Sequence, residues 1–403
     1  MSERRFRVAD DPVRQIIFVL TDECNLDCVY CYEKHKNTNG RKLPASVIRA
    51  KIEREMLAKN DVKTLWFIFF GGEPLLCFDT IRDTLTWFEA TEWPRVDKQV
   101  HFMVETNGTL LNDEMKAWFT ERRDHVTLSI SLDGTKEAHD RNRSNSFDAV
   151  ARHFGFFRQN WPNQPVKMTI GPDTLDQTYE GVRYLHSEGF QATFDVVFED
   201  VWGDRRSERR AVGVWADQLD KLVHYYAANP DLPRPRVLSR KLERLFDPPS
   251  AESYTFCSAG QYVTSFLPDQ REYPCFRFAP LVVDQPLENV LTDAGADSQQ
   301  CQLCPFERIC TTCEGHNYEV TGSPFVRTRF HCKFFKVSLL ASAKMMLIDR
   351  GRDLLDGGSD DAETTENQMR RLRTLLAIRV VNDVCGPLVD WATSTTAEQR
   401  QIQ

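Results

Sequence analysis

The chain has 403 residues, 41% of them apolar, and a formal net charge of -8 spread along its length. It is long enough to bury a sizeable core without disulfides, and the lack of any basic block argues against a nucleic-acid or anionic-membrane partner. The first residues, MSERRFRVADDPVR, carry no apolar signal core and no apolar run reaches bilayer length, so a soluble, cytoplasmic protein is expected.

Strand-like runs of β-branched and aromatic residues recur at 15–20, 64–70, 99–104, 126–132, 166–170 and 192–198. Between them, 44–60, 78–93, 147–160 and 178–189 place apolar residues three or four apart, as helices do. Six such units predict an α/β fold with a parallel sheet. They fall short of the eight that close a full barrel, so a partial (β/α)6 TIM-like barrel is expected, with its functional groups at the carboxyl ends of the strands. The unusual segments sit at those ends: CNLDCVYC after the first strand, GGEPLL after the second, ETNGTLL after the third and DGTKEAHDRNR after the fourth. The barrel is expected over 14–200. After Asp200 the alternation gives way to a charged helical bridge over 201–250, a Cys-rich and turn-rich domain over 251–335, and a helical tail over 336–403 with an acidic linker, GGSDDAETTENQ.

Twelve cysteines in a reducing compartment point to metal or iron-sulfur ligation over disulfides. Cys24, Cys28 and Cys31 lie on one loop. A cubane 4Fe-4S cluster has four irons to ligate, so three thiolates from one loop leave one iron open to a ligand. The alternative is a zinc site closed by a distant His or Cys. The CxxxCxxC spacing after a first strand resembles the radical S-adenosylmethionine (SAM) enzymes over residues 14–200. That resemblance implies that the open iron is chelated by the amino and carboxylate groups of SAM, and that reductive cleavage yields a 5'-deoxyadenosyl radical that abstracts hydrogen.

The same resemblance assigns the remaining cofactor contacts. Tyr30 matches an aromatic near the adenine, and Gly71, Gly72 and Glu73 match the segment that holds the methionine amino group. Glycines allow close backbone approach, and a carboxylate with neighbouring carbonyls can accept hydrogen bonds from an ammonium. Ser131 and Glu105 are expected on the ribose, and Arg143 on the methionine carboxylate.

Cys257, Cys275, Cys301, Cys304, Cys310, Cys313 and Cys332 form a second set. Its pattern resembles the SPASM domain, a C-terminal iron-sulfur module of peptide-modifying radical enzymes. The resemblance implies two auxiliary 4Fe-4S clusters, three clusters in all. Cys301, Cys304, Cys310 and Cys332 would hold one. Cys257, Cys275 and Cys313 would hold the other, with an open iron or a non-Cys ligand. Only two residues separate Cys310 from Cys313 and an eighth cysteine is missing, both departures from the family; a zinc ribbon is the alternative. Cys77 and Cys385 fit neither set and are expected in the core as small hydrophobes.

As a whole the chain resembles maturases of ribosomally synthesised peptides that form thioether or carbon-carbon crosslinks. The rival readings are a sulfatase-type formylglycine maturase and radical oxidation of a small molecule. The implied partners are a precursor peptide and an electron donor of flavodoxin or ferredoxin type. The first strand begins near Gln15, which leaves no room for an N-terminal leader-binding domain, so the leader is expected on the bridge, the tail or a separate leader-binding protein.

Overall fold

The computed structural model describes residues 13–33, 40–94, 98–246, 258–280, 282, 299–355 and 365–394. Cys257 and residues 357–364 of the acidic linker lie outside the described residues. The first half runs β1 (Val13–Val19), α1 (Ala45–Leu57), β2 (Thr64–Phe70), α2 (Phe78–Ala90), β3 (Gln99–Thr106), α3 (Asp113–Glu121) and β4 (Val126–Ile130). It continues through α4 (Lys136–Asn142), α5 (Phe147–Ala151), α6 (Phe154–Asn160), β5 (Val166–Ile170), α7 (Thr178–Ser187) and β6 (Ala192–Val196).

Strands β1 to β4 pair in parallel, each with the next in sequence. A parallel bridge between Ser131 and Lys167, and the bond from Leu132 N to Lys167 O (2.9 Å), pass the sheet on to the β5–β6 pair. Six parallel strands in chain order make the expected α/β partial barrel. Side chains alternate across it, as the strand period requires. Ile16, Phe18, Leu65, Phe67, Phe69, Phe102, Val104, Leu128, Met168 and Phe194 are buried on the core-facing side. The alternate positions, including Glu105, Ser129, Thr169 and Asp195, are half-buried and line the concave face.

The single helix expected over 147–160 is two. Arg152 turns back to donate from Nε to Ala149 O (3.1 Å) and from Nη2 to Thr109 O (3.2 Å), and the ladder breaks between α5 and α6.

The Cys-rich segment adds to this sheet. β7 (Val263–Phe266) lies parallel to β1 on the side away from β2, and β8 (Glu272–Tyr273) pairs antiparallel to β7. Aromatic rings fix that placement: Phe266 packs on Phe18 (centroids 5.9 Å apart), Phe18 on Phe69 (6.1 Å) and Phe69 on Phe102 (6.2 Å), one band across four strands. Aromatic pairs in these arrangements add to their area burial.

The bridge and the tail meet. α8 (Arg205–Ala228), capped by Asp204 accepting from Ser207 N (2.8 Å), packs against α11 (Cys332–Leu355) and α12 (Thr365–Thr393). Buried Trp215 donates from Nε1 to Phe334 O (3.2 Å), and Gly213 leaves room for the α12 backbone at Ala392. The short helices α9 (Gln299–Gln302) and α10 (Glu314–Thr321) lie in the Cys-rich segment.

Because Phe266 belongs to the barrel's aromatic band, Phe266→Ala should destabilise the whole barrel by about 3–5 kcal/mol. Denaturant unfolding should show one transition shifted to lower denaturant. A small separate transition with the main one unmoved would contradict the shared core.

Candidate functional site

The loop after β1 is held at both ends. Gly72 N donates to Thr21 O (3.0 Å) and Glu73 N to Glu23 O (2.8 Å), so the turn after β2 lies against the start of the cysteine loop. A Cβ on Gly72 would sit 2.1 Å from Glu23 O, and one on Gly71 2.6 Å from Thr21 O. The glycines are thus required by backbone packing against the loop, with Gly71 also at φ +145°. At the loop's far side Val29 N donates to Asn142 O (3.0 Å) and Asp27 N to Ser144 Oγ (2.9 Å). Ser144 and Asn145 adopt left-handed φ of 53° and 55° to present that hydroxyl. Cys24, Cys28 and Cys31 are all partly exposed on the loop so fixed.

Glu73 is 1% exposed, and its carboxylate accepts from Leu75 N (3.0 Å), Thr106 Oγ1 (2.6 Å) and Asn107 N (2.8 Å). Burial pushes the carboxyl up despite these three donors. The acid is committed to the protein, tying the end of β3 to the turn after β2. The Gly71 and Gly72 carbonyls accept no hydrogen bond from the described residues. Asn107 Nδ2 donates in turn to Asn25 Oδ1 (2.9 Å), inside the cysteine loop.

A second buried acid, Asp133, organises the other wall. Its Oδ2 accepts from Tyr30 Oη (2.6 Å) and Asn142 Nδ2 (3.0 Å), with Arg143 Nε at 3.1 Å, and its Oδ1 accepts from Thr169 N (2.9 Å). The Arg143 guanidinium lies 5.3 Å from the Tyr30 ring. Tyr30 and Arg143, two expected cofactor contacts, are therefore brought together through an aspartate to which the sequence assigned no role. Gly134 (φ +86°) lets that turn approach Gly181 of α7, where a Cβ would be 2.7 Å from the Gly181 Cα. Glu105 pairs in register with Ser129, and Ser131 with Lys167, so the two expected ribose contacts share the concave face.

Cys301, Cys304, Cys310 and Cys332 line one cavity with Arg327, Lys336, Phe335, Phe198 and His331. Burial pushes the Cys310 thiol up to about 11 and the Cys332 thiol above its ordinary value. A bound metal would favour their thiolate forms. Among the described residues no three Cys, His, Asp or Glu side chains are grouped to hold a single metal ion; the four cysteines share the lining of one cavity. Beside that space Arg240 is buried with Nε and Nη2 unpartnered, which suits an anionic occupant such as a thiolate-ligated cluster.

Cys313 is not in that cavity. It interacts with Arg277, whose guanidinium is 4.3 Å from the Tyr32 ring and pairs with Glu199 (2.7 Å) and Glu319 (3.5 Å). Cys275 is buried in a cluster with Val19 of β1, against which Tyr32 packs. This second group thus adjoins the residue directly after Cys31. Cys77 is buried in the barrel core and Cys385 between α11 and α12.

With this geometry in hand, comparison with known proteins places residues 18–200 in the family model described as the radical SAM superfamily. A cysteine-type anaerobic sulfatase-maturating enzyme of Clostridium novyi is 29% identical over 173 residues, 40% of this chain and 45% of that protein. The first two curated relatives are matched over only 40% and 45% of their own length. In fold, the chain resembles native anSMEcpe with bound AdoMet and Cp18Cys peptide, at 17% identity and TM-score 0.66, covering 85% of this chain and 100% of that one. It also resembles Streptococcus suis SuiB bound to precursor peptide SuiA, at 16% identity and TM-score 0.52, over 80% of this chain and 76% of that one.

Two outcomes follow from the buried groups. Glu73→Ala leaves two buried backbone donors and a hydroxyl without their acceptor, at roughly 1–3 kcal/mol for each unsatisfied group. A loss of about 3 kcal/mol or more is expected in denaturant unfolding, with Glu73→Gln recovering part of it. Burial, then Arg143, pulls buried His139 down to about 4, below its ordinary 6.5. The unfolded chain therefore takes up a proton near pH 6.5 that the folded chain refuses. The stability His139 contributes is present above pH 6.5 and is lost as pH falls toward 4, on the order of 3 kcal/mol in total. Unfolding free energies of wild type and His139→Gln across that window should diverge above pH 4; parallel curves would reject the assignment.

Proposed function

On the premise that the chain is a radical SAM enzyme, with residues 18–200 as its radical SAM domain, we propose that it modifies a ribosomally made peptide. The observation that carries this reading is the four-cysteine cavity built against the end of the barrel's last strand, where Phe198 and His331 stack 4.2 Å apart. A second iron-sulfur module at that position is what peptide-modifying radical enzymes add to the barrel. Support also comes from the likeness in fold to two proteins solved with a bound peptide.

In this reading Cys24, Cys28 and Cys31 hold a 4Fe-4S cluster with one open iron. When bound, that cluster and SAM supply a 5'-deoxyadenosyl radical that abstracts hydrogen from the substrate. The chain's own residues orient the cofactor. The carbonyls of Gly71 and Gly72, with Glu73 fixing their turn, receive the methionine ammonium. Arg143, oriented by Asp133, takes its carboxylate; Ser131 and Glu105 take the ribose, and Tyr30 flanks the adenine. Cys301, Cys304, Cys310 and Cys332 hold a closed auxiliary cluster. Cys257, Cys275 and Cys313 hold a third with an incomplete thiolate set, able to meet a substrate thiolate or pass an electron. A flavodoxin or ferredoxin supplies the electron. The leader binds on the bridge, the tail or a separate leader-binding protein.

The product proposed is a thioether or carbon-carbon crosslink. Oxidation of Cys to formylglycine is the second reading, favoured by the match to the sulfatase-maturating enzyme and by the fold match that spans all of anSMEcpe. Product mass separates them, because formylglycine made from cysteine loses sulfur whereas a thioether keeps it.

Anaerobically reconstituted protein is expected to carry iron for three 4Fe-4S clusters and to form 5'-deoxyadenosine from SAM under reduction. Replacing Cys24, Cys28 and Cys31 together with Ala should abolish 5'-deoxyadenosine while the auxiliary iron remains. Stoichiometric zinc with little iron, or undiminished cleavage by the triple variant, would overturn the reading.

A further inference from the structure

Arg240 follows the bridge helix α8 and a 3-10 turn at Arg236–Leu238. Its backbone is pinned to α11, since Arg240 N donates to Ser342 Oγ (3.4 Å) and that hydroxyl donates to Val237 O (3.0 Å). The side chain is 7% exposed. Its guanidinium lies 4.9 Å from the ring of Phe335, a wall of the four-cysteine cavity. Neither Nε nor Nη2 has a hydrogen-bond partner, and no carboxylate among the described residues forms an ion pair with it. The acid whose field it feels most is Asp195 of β6, but that carboxylate is engaged elsewhere, with His331 Nε2 at 3.5 Å and Arg236 at 3.7 Å. Burial pulls the guanidinium down to about 10, with Asp195 and Cys310 opposing.

A buried cation without a counter-charge is costly, and it is retained where something else neutralises it. The contrast with Arg277 is informative: that guanidinium, beside Cys313, has Glu199 and Glu319. Arg240 instead lies behind the Phe335 wall of the four-cysteine cavity, where Cys310 favours its charged form. A cubane ligated by four thiolates is anionic and becomes more so on reduction, so a fixed positive charge beside it favours the reduced form.

We propose that Arg240 is the cation that sets the reduction potential of the cluster held by Cys301, Cys304, Cys310 and Cys332, with Asp195 on the concave barrel face as the opposing charge. This rests on the reading of that cavity as a cluster site. Arg240 is a positioning charge, and its effect is read in a potential.

The test is an anaerobic redox titration of the reconstituted full chain followed by electron paramagnetic resonance, comparing wild type with R240M, R240K and D195N. In R240M one auxiliary component should become at least tenfold harder to reduce, about 59 mV for a one-electron couple. R240K should restore most of that shift, and D195N should move the same component the other way. A Cys301→Ala variant that loses that component identifies it as the cluster of this cavity. If Cys301→Ala leaves all iron and all signals unchanged, the cluster reading itself fails. If the component is present and R240M leaves its potential unmoved, only the role of Arg240 fails. Iron-free protein supplies a second measurement: R240M should raise its melting temperature by removing an uncompensated charge, and should gain less than wild type on reconstitution. An equal loss of stability with and without iron would make Arg240 a packing residue and overturn the proposal.

Discussion

The site depends on one turn that has no space for side chains. Gly72 lies so close to Glu23 O that any Cβ would collide, and the next residue puts a buried carboxylate into the end of β3. From there the connections close on themselves. Glu73 holds Asn107, Asn107 holds Asn25, and Asn25 belongs to the cysteine loop whose backbone receives Gly72 and Glu73. Three strand ends are locked into one ring of hydrogen bonds, so the three thiols are presented from a rigid rim. Preorganisation of this kind holds a site's groups in one geometry before any ligand arrives.

Asp133 does the same work on the opposite wall, with a different balance of forces. It gathers a phenol, an amide, a guanidinium and a backbone N–H. A buried carboxylate is tolerable only when its lone pairs are filled in this way. The cost appears in its neighbour His139, which the adjoining burial and the Arg143 charge keep neutral. The wall that orients Tyr30 and Arg143 thus also holds a histidine that burial keeps neutral.

The Cys-rich segment is continuous with the barrel. β7 extends the sheet next to β1, Phe276 packs on Phe70 of β2 (4.7 Å) and on Tyr32 (5.9 Å), and the four-cysteine cavity takes Phe198 from beyond β6 as one of its walls. Both edges of the barrel therefore touch cysteine-bearing elements. Partly buried aromatic rings, Tyr32 on one side and Phe198 on the other, form the two junctions.

The sequence by itself determined the parallel α/β layout, because the strand-like runs and the helical periods are local signals that survive any packing. The run 64–70 is β2 and 166–170 is β5 residue for residue. It also located the segments at the strand ends, since covalent order places a loop after its strand. It did not yield β7, although YVTSF has strand composition; the segment lay in a turn-rich block, and only the ring of Phe18 gives Phe266 a place beside β1. Nor did it disclose what the glycines and acids do. Gly71 and Gly72 serve the backbone of residues 21–23, and Glu73 accepts from Leu75 N and from Thr106 and Asn107 at the end of β3. Asp133 and Asn142 lie in the strand-end segment DGTKEAHDRNR, but nothing local assigns either of them a role. Arg240 looked like one more charge in a charged bridge. Each of these roles is set by a partner dozens of residues away. A side chain's type limits which bonds it can make, but its burial and the neighbours that fill its lone pairs are properties of the folded chain alone.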